Sequence, residues 1–280
     1  MSGGRMYLLP LDQRMPWPTG VVATAKRAIY DGFRQAADGA MVEAGVIADK
    51  SSGAAILRDA AARGYAAACA LGTIDDPAAD IDDAVADARA CGAADCMAVL
   101  QYNPDGRRST NVWQAARARR LCDAARREPD ARILCDLVVP ATKTQIARGV
   151  GAFDRDLLPE LTARAISELV DAGVDPWAWV IQGFERRPDY LRVVRAAERG
   201  RHGAGCFIRA AGHSDETTRR LMATGLSVPG VTGLVLSRAA FWEPAAAWMS
   251  GRTTRATVVA TVASLFRTWI TLSVMERKVS

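Results

Sequence analysis

The chain has 280 residues, of which 50% are apolar and 24% charged, and its formal net charge is +5. This balance is ordinary for a soluble globular protein and excludes a disordered chain. No apolar run reaches the roughly 18 residues that a membrane span needs, and the first residues lack the apolar segment and cleavage site of a signal peptide. We therefore expect one cytoplasmic domain over residues 1–280 that makes no membrane contact.

The basic residues are spread along the chain without interleaved aromatic residues, which argues against nucleic-acid binding. Only four of the 36 basic residues are lysines, namely Lys26, Lys50, Lys143 and Lys278. The positive balance suits an anionic small-molecule substrate. The six cysteines form no CxxC pair, so we expect small buried hydrophobic residues in a reducing compartment and no disulfide framework.

Short apolar runs alternate with segments of helical period, which is the pattern of repeated βα units. The predicted strands are Met6–Leu11, Gly45–Ala48, Tyr65–Leu71, Cys96–Leu100, Arg132–Val138, Trp177–Ile181, Gly205–Ile208 and Gly233–Leu236. The predicted helices are Val21–Ala37, Ala54–Arg63, Asp80–Cys91, Asn111–Arg127, Asp154–Ala172, Pro188–Arg199, Asp215–Thr224 and Phe241–Met249, followed by Thr254–Ile270. Eight such units, without a GxGxxG or phosphate-binding P-loop motif, favour an α/β fold of the (β/α)8 TIM-barrel type with an additional C-terminal helix.

In TIM barrels the active site lies at the carboxyl ends of the strands, so the polar residues that close each apolar run are the candidates. In chain order they are Asp12 and Arg14, Asp49 and Lys50, Gln101, Tyr102 and Asn103, Asp136, Gln182, Arg209, and Ser237 with Arg238. Strand three ends in Leu71 and Gly72 and offers no ionisable side chain.

Several candidates keep two interpretations. Asp136 lies inside the apolar run 133–139 and must face the barrel interior, either as a catalytic carboxylate or in a structural ion pair with Arg or Lys. Asp12 and Arg14 share one face of an extended chain, either to orient substrate or as a plain salt bridge. Arg238 with Ser237 suits a phosphate site after the last strand, the alternative being a surface arginine. His213 lies in a loop and is more often only solvated.

Seven blocks of sequence resemble a known family, the class I aldolase-like barrels related to the C-terminal domain of inositol-catabolism kinase–aldolase fusions, with tagatose-bisphosphate aldolases more distant. The blocks are LLPLDQR (8–14), IYDGF (29–33), ADKSSGAAILRDAAARG (48–64), LQYNPDG (100–106), LVVPATKTQ (137–145), RAISELVDAGVDPWAW (164–179) and LSRAAFWEP (236–244). The resemblance implies a TIM barrel and aldol cleavage of a phosphorylated keto-sugar or keto acid.

The sequence departs from that family at the site itself. Where the resemblance implies a Schiff-base lysine on strand six, this chain has Val180, and Gln182 replaces the glutamate that follows. Strand three lacks the family's Glu-Lys pair, strand four has Met97 and Gln101 in place of Lys and Arg, and Asp136 stands where the family has Glu. The Gly-Arg-Gly of the phosphate loop has become Ala-Ala-Gly at 210–212. Lys50 and Lys143 remain near the predicted mouth of the barrel, by which we mean the region at the carboxyl ends of the strands. Lys26 and Lys278 are predicted to lie outside it.

Two classes of function follow. The first is a divergent enzyme that performs lyase, condensation or isomerisation chemistry on a small anionic carbonyl compound, with Asp136 or Asp49 moving protons and Tyr102 or Lys50 stabilising charge. The second is a non-catalytic ligand-binding or partner paralogue. We expect no cofactor, because two histidines give no metal cluster, although Asp12, Asp49 and Asp136 could hold Mg²⁺. The oligomeric state stays open, a homo-oligomer included.

Overall fold

Eight parallel strands close into a barrel in the order of the sequence, which confirms the predicted TIM-barrel fold. The computed structural model describes residues 5–12, 17–40, 43–74, 81, 83–147, 149–201, 203–209, 215–236 and 239–276. The strands are β1 (Met6–Leu11), β2 (Glu43–Asp49), β3 (Ala66–Thr73), β4 (Asp95–Gln101), β5 (Arg132–Val138), β6 (Ala178–Gln182), β7 (Gly205–Arg209) and β8 (Val231–Val235).

The helices surround the strands. They are α1 (Thr19–Ala37), α2 (Lys50–Ala62), α3 (Ala84–Ala90), α4 (Arg108–Arg126), α5 (Val150–Asp156), α6 (Leu158–Asp171), α7 (Arg187–Ala197), α8 (Asp215–Leu226), α9 (Ala239–Met249) and α10 (Arg255–Glu276). The predicted helix Asp154–Ala172 was wrong in one respect, because two helices meet at Leu157. Pro159 lacks an N–H and is therefore unfavourable in the interior of one continuous helix, but it suits the first turn of a new helix.

Alternate residues of the strands fill the barrel interior with apolar side chains. This inner cluster consists of Met6, Leu8, Ile47, Ala68, Met97, Leu134, Ala178, Val180, Phe207 and Val235. The residues of opposite parity pack outward against the helices in a second, larger core. The interior is therefore filled by apolar side chains, and polar side chains of the inward-facing set are found at both ends of the strands.

The amino ends of the strands carry an ion pair of their own. Asp95 and Arg132 are in register on neighbouring strands, and the guanidinium donates two hydrogen bonds of 2.7 Å to the carboxylate. The same guanidinium lies 4.0 Å from the ring centroid of Trp177. This end of a TIM barrel serves stability, whereas the opposite end carries chemistry.

All six cysteines are free and buried, as the sequence predicts. None of the helices in the described part of the chain is long and apolar enough to span a membrane.

Candidate active site

Asp136 and Arg209 form an ion pair at the upper end of the barrel. They lie on β5 and β7, which both pair with β6; Asp136 is in register with Val180, and Arg209 with Gln182. The predicted inward position of Asp136 is confirmed, and the ion-pair interpretation describes its geometry. Burial raises the pKa of Asp136, and the charge and hydrogen bond of Arg209 oppose that shift.

Asp12 follows β1 and has a different environment. Burial raises the pKa of Asp12, and the negative charges of Asp136 and Asp49 add to the shift, whereas Asp12's own backbone N–H and the charge of Lys26 lower the pKa. Its Oδ1 is buried and has no hydrogen-bond partner within the described residues. A carboxyl group that resists ionisation and keeps an unsatisfied oxygen is suited to exchange a proton with a bound molecule.

Asp49 ends β2 and caps α2. Its Oδ1 accepts hydrogen bonds from the Ser52 backbone N–H at 2.8 Å and from the Ser51 hydroxyl at 2.6 Å, while its Oδ2 contacts the Lys26 amine. Although burial acts to raise the pKa of Asp49, the hydrogen bonds from Lys26, Ser51 and Ser52 lower it to about 2. Asp49 is therefore a stable anion beside the mouth.

The contact of Lys26 with Asp49 corrects the prediction that Lys26 lies outside the site. Its amine contacts Asp49 and lies 2.8 Å from the hydroxyl oxygen of Ser52. The helical period of α1 contained the information, because the buried face of this helix includes Val22, Ala25, Lys26, Ile29 and Phe33. A lysine in the middle of a buried helical face needs a partner in the barrel.

Gln101 and Gln182 end β4 and β6 and are half-buried. Their position at the carboxyl ends of the strands makes them candidates for orienting a polar substrate.

Two predicted catalytic residues point away from this group, which corrects their assignment. The Lys50 amine is exposed and pairs with Asp87 of α3 at 2.6 Å. The Tyr102 hydroxyl donates a 2.8 Å hydrogen bond to Glu168 of α6, within the outer core. Asp49 ends its strand, so Lys50 already belongs to a helix and turns outward; Tyr102 has the outward parity of β4.

Asn103 holds two loops together. Its side-chain N–H groups donate to the Pro140 carbonyl at 2.8 Å and to Gln145 Oε1 at 2.7 Å. Its main-chain carbonyl accepts a 2.7 Å hydrogen bond from the side-chain amide of Asn111. The side-chain amide thus connects the β4–α4 loop with the β5–α5 loop.

Three predicted binding residues, Arg14, Ser237 and Arg238, lie outside the described residues, as do His202 and His213. Lys143 is described and exposed. Within the described ranges no group of three His, Cys, Asp or Glu side chains is placed to hold a metal ion.

Several solved structures share this fold. A protein from Corynebacterium glutamicum, Cgl0159, superposes with a TM-score of 0.55 at 15% identity, over 96% of this chain and 87% of that one. A putative phosphonomutase from Burkholderia cenocepacia J2315 gives 0.52 at 14% identity, over 89% and 93%. A phosphonopyruvate hydrolase gives 0.51 at 13% identity, over 90% and 80%. At these identities the likeness establishes the barrel fold.

Among curated proteins, no sequence is significantly similar to this chain. A family model does match residues 4–277, nearly the whole chain. The chain therefore belongs to the DUF2090 family, described as uncharacterized proteins conserved in bacteria.

Proposed function

We propose that the protein is an enzyme that moves protons on a small anionic carbonyl compound, such as a keto acid or a sugar phosphate, without a Schiff-base lysine on β6. The reaction class is carbon–carbon lyase, condensation or isomerisation chemistry. The single observation that carries the proposal is Asp12, whose buried Oδ1 lacks a partner among the described residues beside two ion-paired carboxylates.

Asp12 supplies the acid–base group. A carboxyl group is most effective when its pKa approaches the working pH, and burial together with the charges of Asp136 and Asp49 moves the pKa of Asp12 upward. Proton removal next to a carbonyl leaves negative charge on the carbonyl oxygen. Arg209 is the described cation nearest to Asp136 and carries further N–H donors that could stabilise this charge.

The mechanism does not need the lysine that the resemblance implies on β6. Val180 is fully buried in the inner cluster and carries no amine. An imine requires a neutral primary amine within reach of the substrate carbonyl, and Lys26 is already paired with Asp49. The fold likeness to a phosphonopyruvate hydrolase gives a keto acid as the first substrate class to examine.

Hydrogen–deuterium exchange at carbon tests this proposal before any product is known. Pyruvate, oxaloacetate and dihydroxyacetone phosphate are each incubated with the protein in D₂O, and loss of the C–H signals is followed by proton NMR. We expect exchange with at least one compound, and we expect Asp12→Asn to reduce it by about 100-fold or more. Lys50→Met is the matched control, because this lysine lies outside the mouth. Equal exchange in Asp12→Asn would overturn the proposal.

A second function, ligand binding without catalysis, is supported by the closed ion pairs of the site. Lys26 pairs with Asp49, and Arg209 pairs with Asp136, so each charge has an opposite charge beside it without a bound substrate. Thermal stabilisation by one of the same compounds, with no exchange and no turnover, would favour this function. Borohydride trapping in the same samples separates a third outcome, because an adduct mapped to Lys26 or Lys143 would restore Schiff-base chemistry.

A further inference from the structure

The amine of Lys26 is buried in a place where a charge is costly. The residue is 1% exposed and comes from the helix layer, yet its amine contacts Asp49 at the end of β2. Ser52 lies 2.8 Å from the same amine. Removing an ammonium ion from water is unfavourable unless a carboxylate and further hydrogen bonds compensate, and this site provides both.

Lys26 and Asp49 are also neighbours of Asp12. Strands β1 and β2 are in register at Leu11 and Ala48, so Asp12 and Asp49 occupy the next positions along adjacent strands. The charges of Lys26 and Asp49 both act on Asp12, in opposite directions. The charge of Asp136 of β5, itself paired with Arg209 of β7, also acts on Asp12.

The ion pair of Lys26 and Asp49 is not needed to hold α1 against the rest of the protein, because other contacts do so. One turn further along α1, the Tyr30 hydroxyl donates a 2.8 Å hydrogen bond to Asp59 of α2. Two turns further, Phe33 packs edge-on against Phe266 of α10. A pair of apolar side chains of similar volume would hold the helix at least as well as a buried ion pair. The pair therefore has a feature that packing does not require, which is its charge beside Asp12.

We propose that Lys26 is a positioning residue of the mouth: through its ion pair it holds Asp49 ionised and oriented beside Asp12, and so sets the charge against which Asp12 takes up and releases its proton. This inference rests on the proposed function, since it gives Asp12 the acid–base role. It predicts that the two members of the ion pair have opposite effects on Asp12.

Titration of the Asp12 carboxyl carbon by ¹³C NMR tests the inference without any substrate. Lys26→Met removes the positive charge, so Asp12 should titrate at a pH higher by about 0.5 unit or more. Asp49→Asn keeps the helix cap but leaves Lys26 unopposed, so Asp12 should titrate lower by a similar amount. The double variant should lie near the unmodified protein, and Lys26→Arg should restore the titration.

Tyr30→Phe is the matched control, because it removes the hydrogen bond from the same helix to Asp59 and leaves the mouth unchanged. A merely structural ion pair would lower the melting temperature in Lys26→Met and Asp49→Asn without moving the Asp12 titration, and that result would overturn the inference. If Lys26→Met does not fold, Asp49→Asn and the double variant carry the same test.

The two proposals fail separately. Asp12-dependent exchange with an unmoved Asp12 titration would overturn the role of Lys26 alone. Opposite titration shifts without exchange of any carbonyl compound would overturn the proposed function and leave the electrostatic coupling of Lys26, Asp49 and Asp12 established.

Discussion

Asp136 and Arg209 pair across strand β6, between the levels of Val180 and Gln182. This arrangement places Asp136 level with Val180, where the resemblance implies a Schiff-base lysine, and Arg209 one step higher, level with Gln182. A carboxylate and a guanidinium, each partly withdrawn from water, therefore occupy the upper part of the barrel next to β6, and Asp12 lies within the influence of this carboxylate.

We expect Asp136→Asn to lower the free energy of unfolding by about 3 kcal/mol, because Arg209 loses the counter-charge of a largely buried pair. In the exchange assay it should reduce turnover much more than substrate binding. Urea unfolding and separate kcat and KM values are the measurements. The double variant Asp136→Leu with Arg209→Met should regain stability but not exchange. Unchanged turnover in Asp136→Asn would contradict a role of this ion pair in the reaction.

We expect Asp12→Asn to stabilise the protein while it removes the exchange activity. The folded-state pKa of Asp12 is raised, so its ionisation opposes folding, and this loss of stability grows as pH rises through the unfolded and then the folded pKa. Unfolding free energies measured at pH 4 and pH 7.5 should show the gain mainly at the higher pH. A lower free energy of unfolding for Asp12→Asn than for the unmodified protein at pH 7.5 would contradict a raised pKa of Asp12.

Asp49 gives the opposite dependence on pH. Its pKa is lowered from 3.8 to about 2 in the folded protein, so it contributes stability above pH 4 that is lost as pH falls towards 2. The corresponding free energy is about 2 kcal/mol. Asp49→Asn, which can still cap α2, should remove this part of the acid-unfolding transition when circular dichroism is followed between pH 5 and pH 2. Ser51→Ala should reduce the same effect only in part.

Tyr102 and Lys50 should prove structural. Tyr102→Phe loses the hydrogen bond to Glu168 and should lower stability by about 1 kcal/mol. Lys50→Met breaks an exposed ion pair and should change the stability little. Both variants should keep the exchange rate within about twofold, since neither side chain lies with the carboxylates of the mouth. A large loss of turnover in either would return that residue to the catalytic group.

The opposite end of the barrel offers a stability test that leaves the site intact. Arg132→Lys keeps the charge but loses the two-pronged hydrogen bonding to Asp95 and the stacking on Trp177. We expect a loss of about 1–2 kcal/mol in urea unfolding. Arg155→Lys is a suitable control, because its two hydrogen bonds to Asp156 are at the exposed surface. Equal effects of the two substitutions would contradict a special role for Arg132.

The sequence predicted the strands closely but the site only in part. Strand positions follow from local patterns of apolar residues, and Met6–Leu11 and Arg132–Val138 are confirmed residue for residue. The inward position of Asp136 followed from its place inside an apolar run, where a charge needs a partner within the barrel. Lys50 and Tyr102 were misplaced because one residue at a strand end decides which way a side chain points, and local patterns do not determine strand ends that finely.

The residues by themselves determined the βα repeat, the barrel and the absence of a lysine at position 180, since each depends on residue type and spacing. Only the tertiary structure decided that Lys26 reaches Asp49, that Arg209 meets Asp136 across β6, and that Asp12 keeps a buried oxygen without a partner among the described residues. These relationships join elements far apart in the chain. They depend on how the helix layer and the closed barrel bring side chains together, which no local pattern encodes.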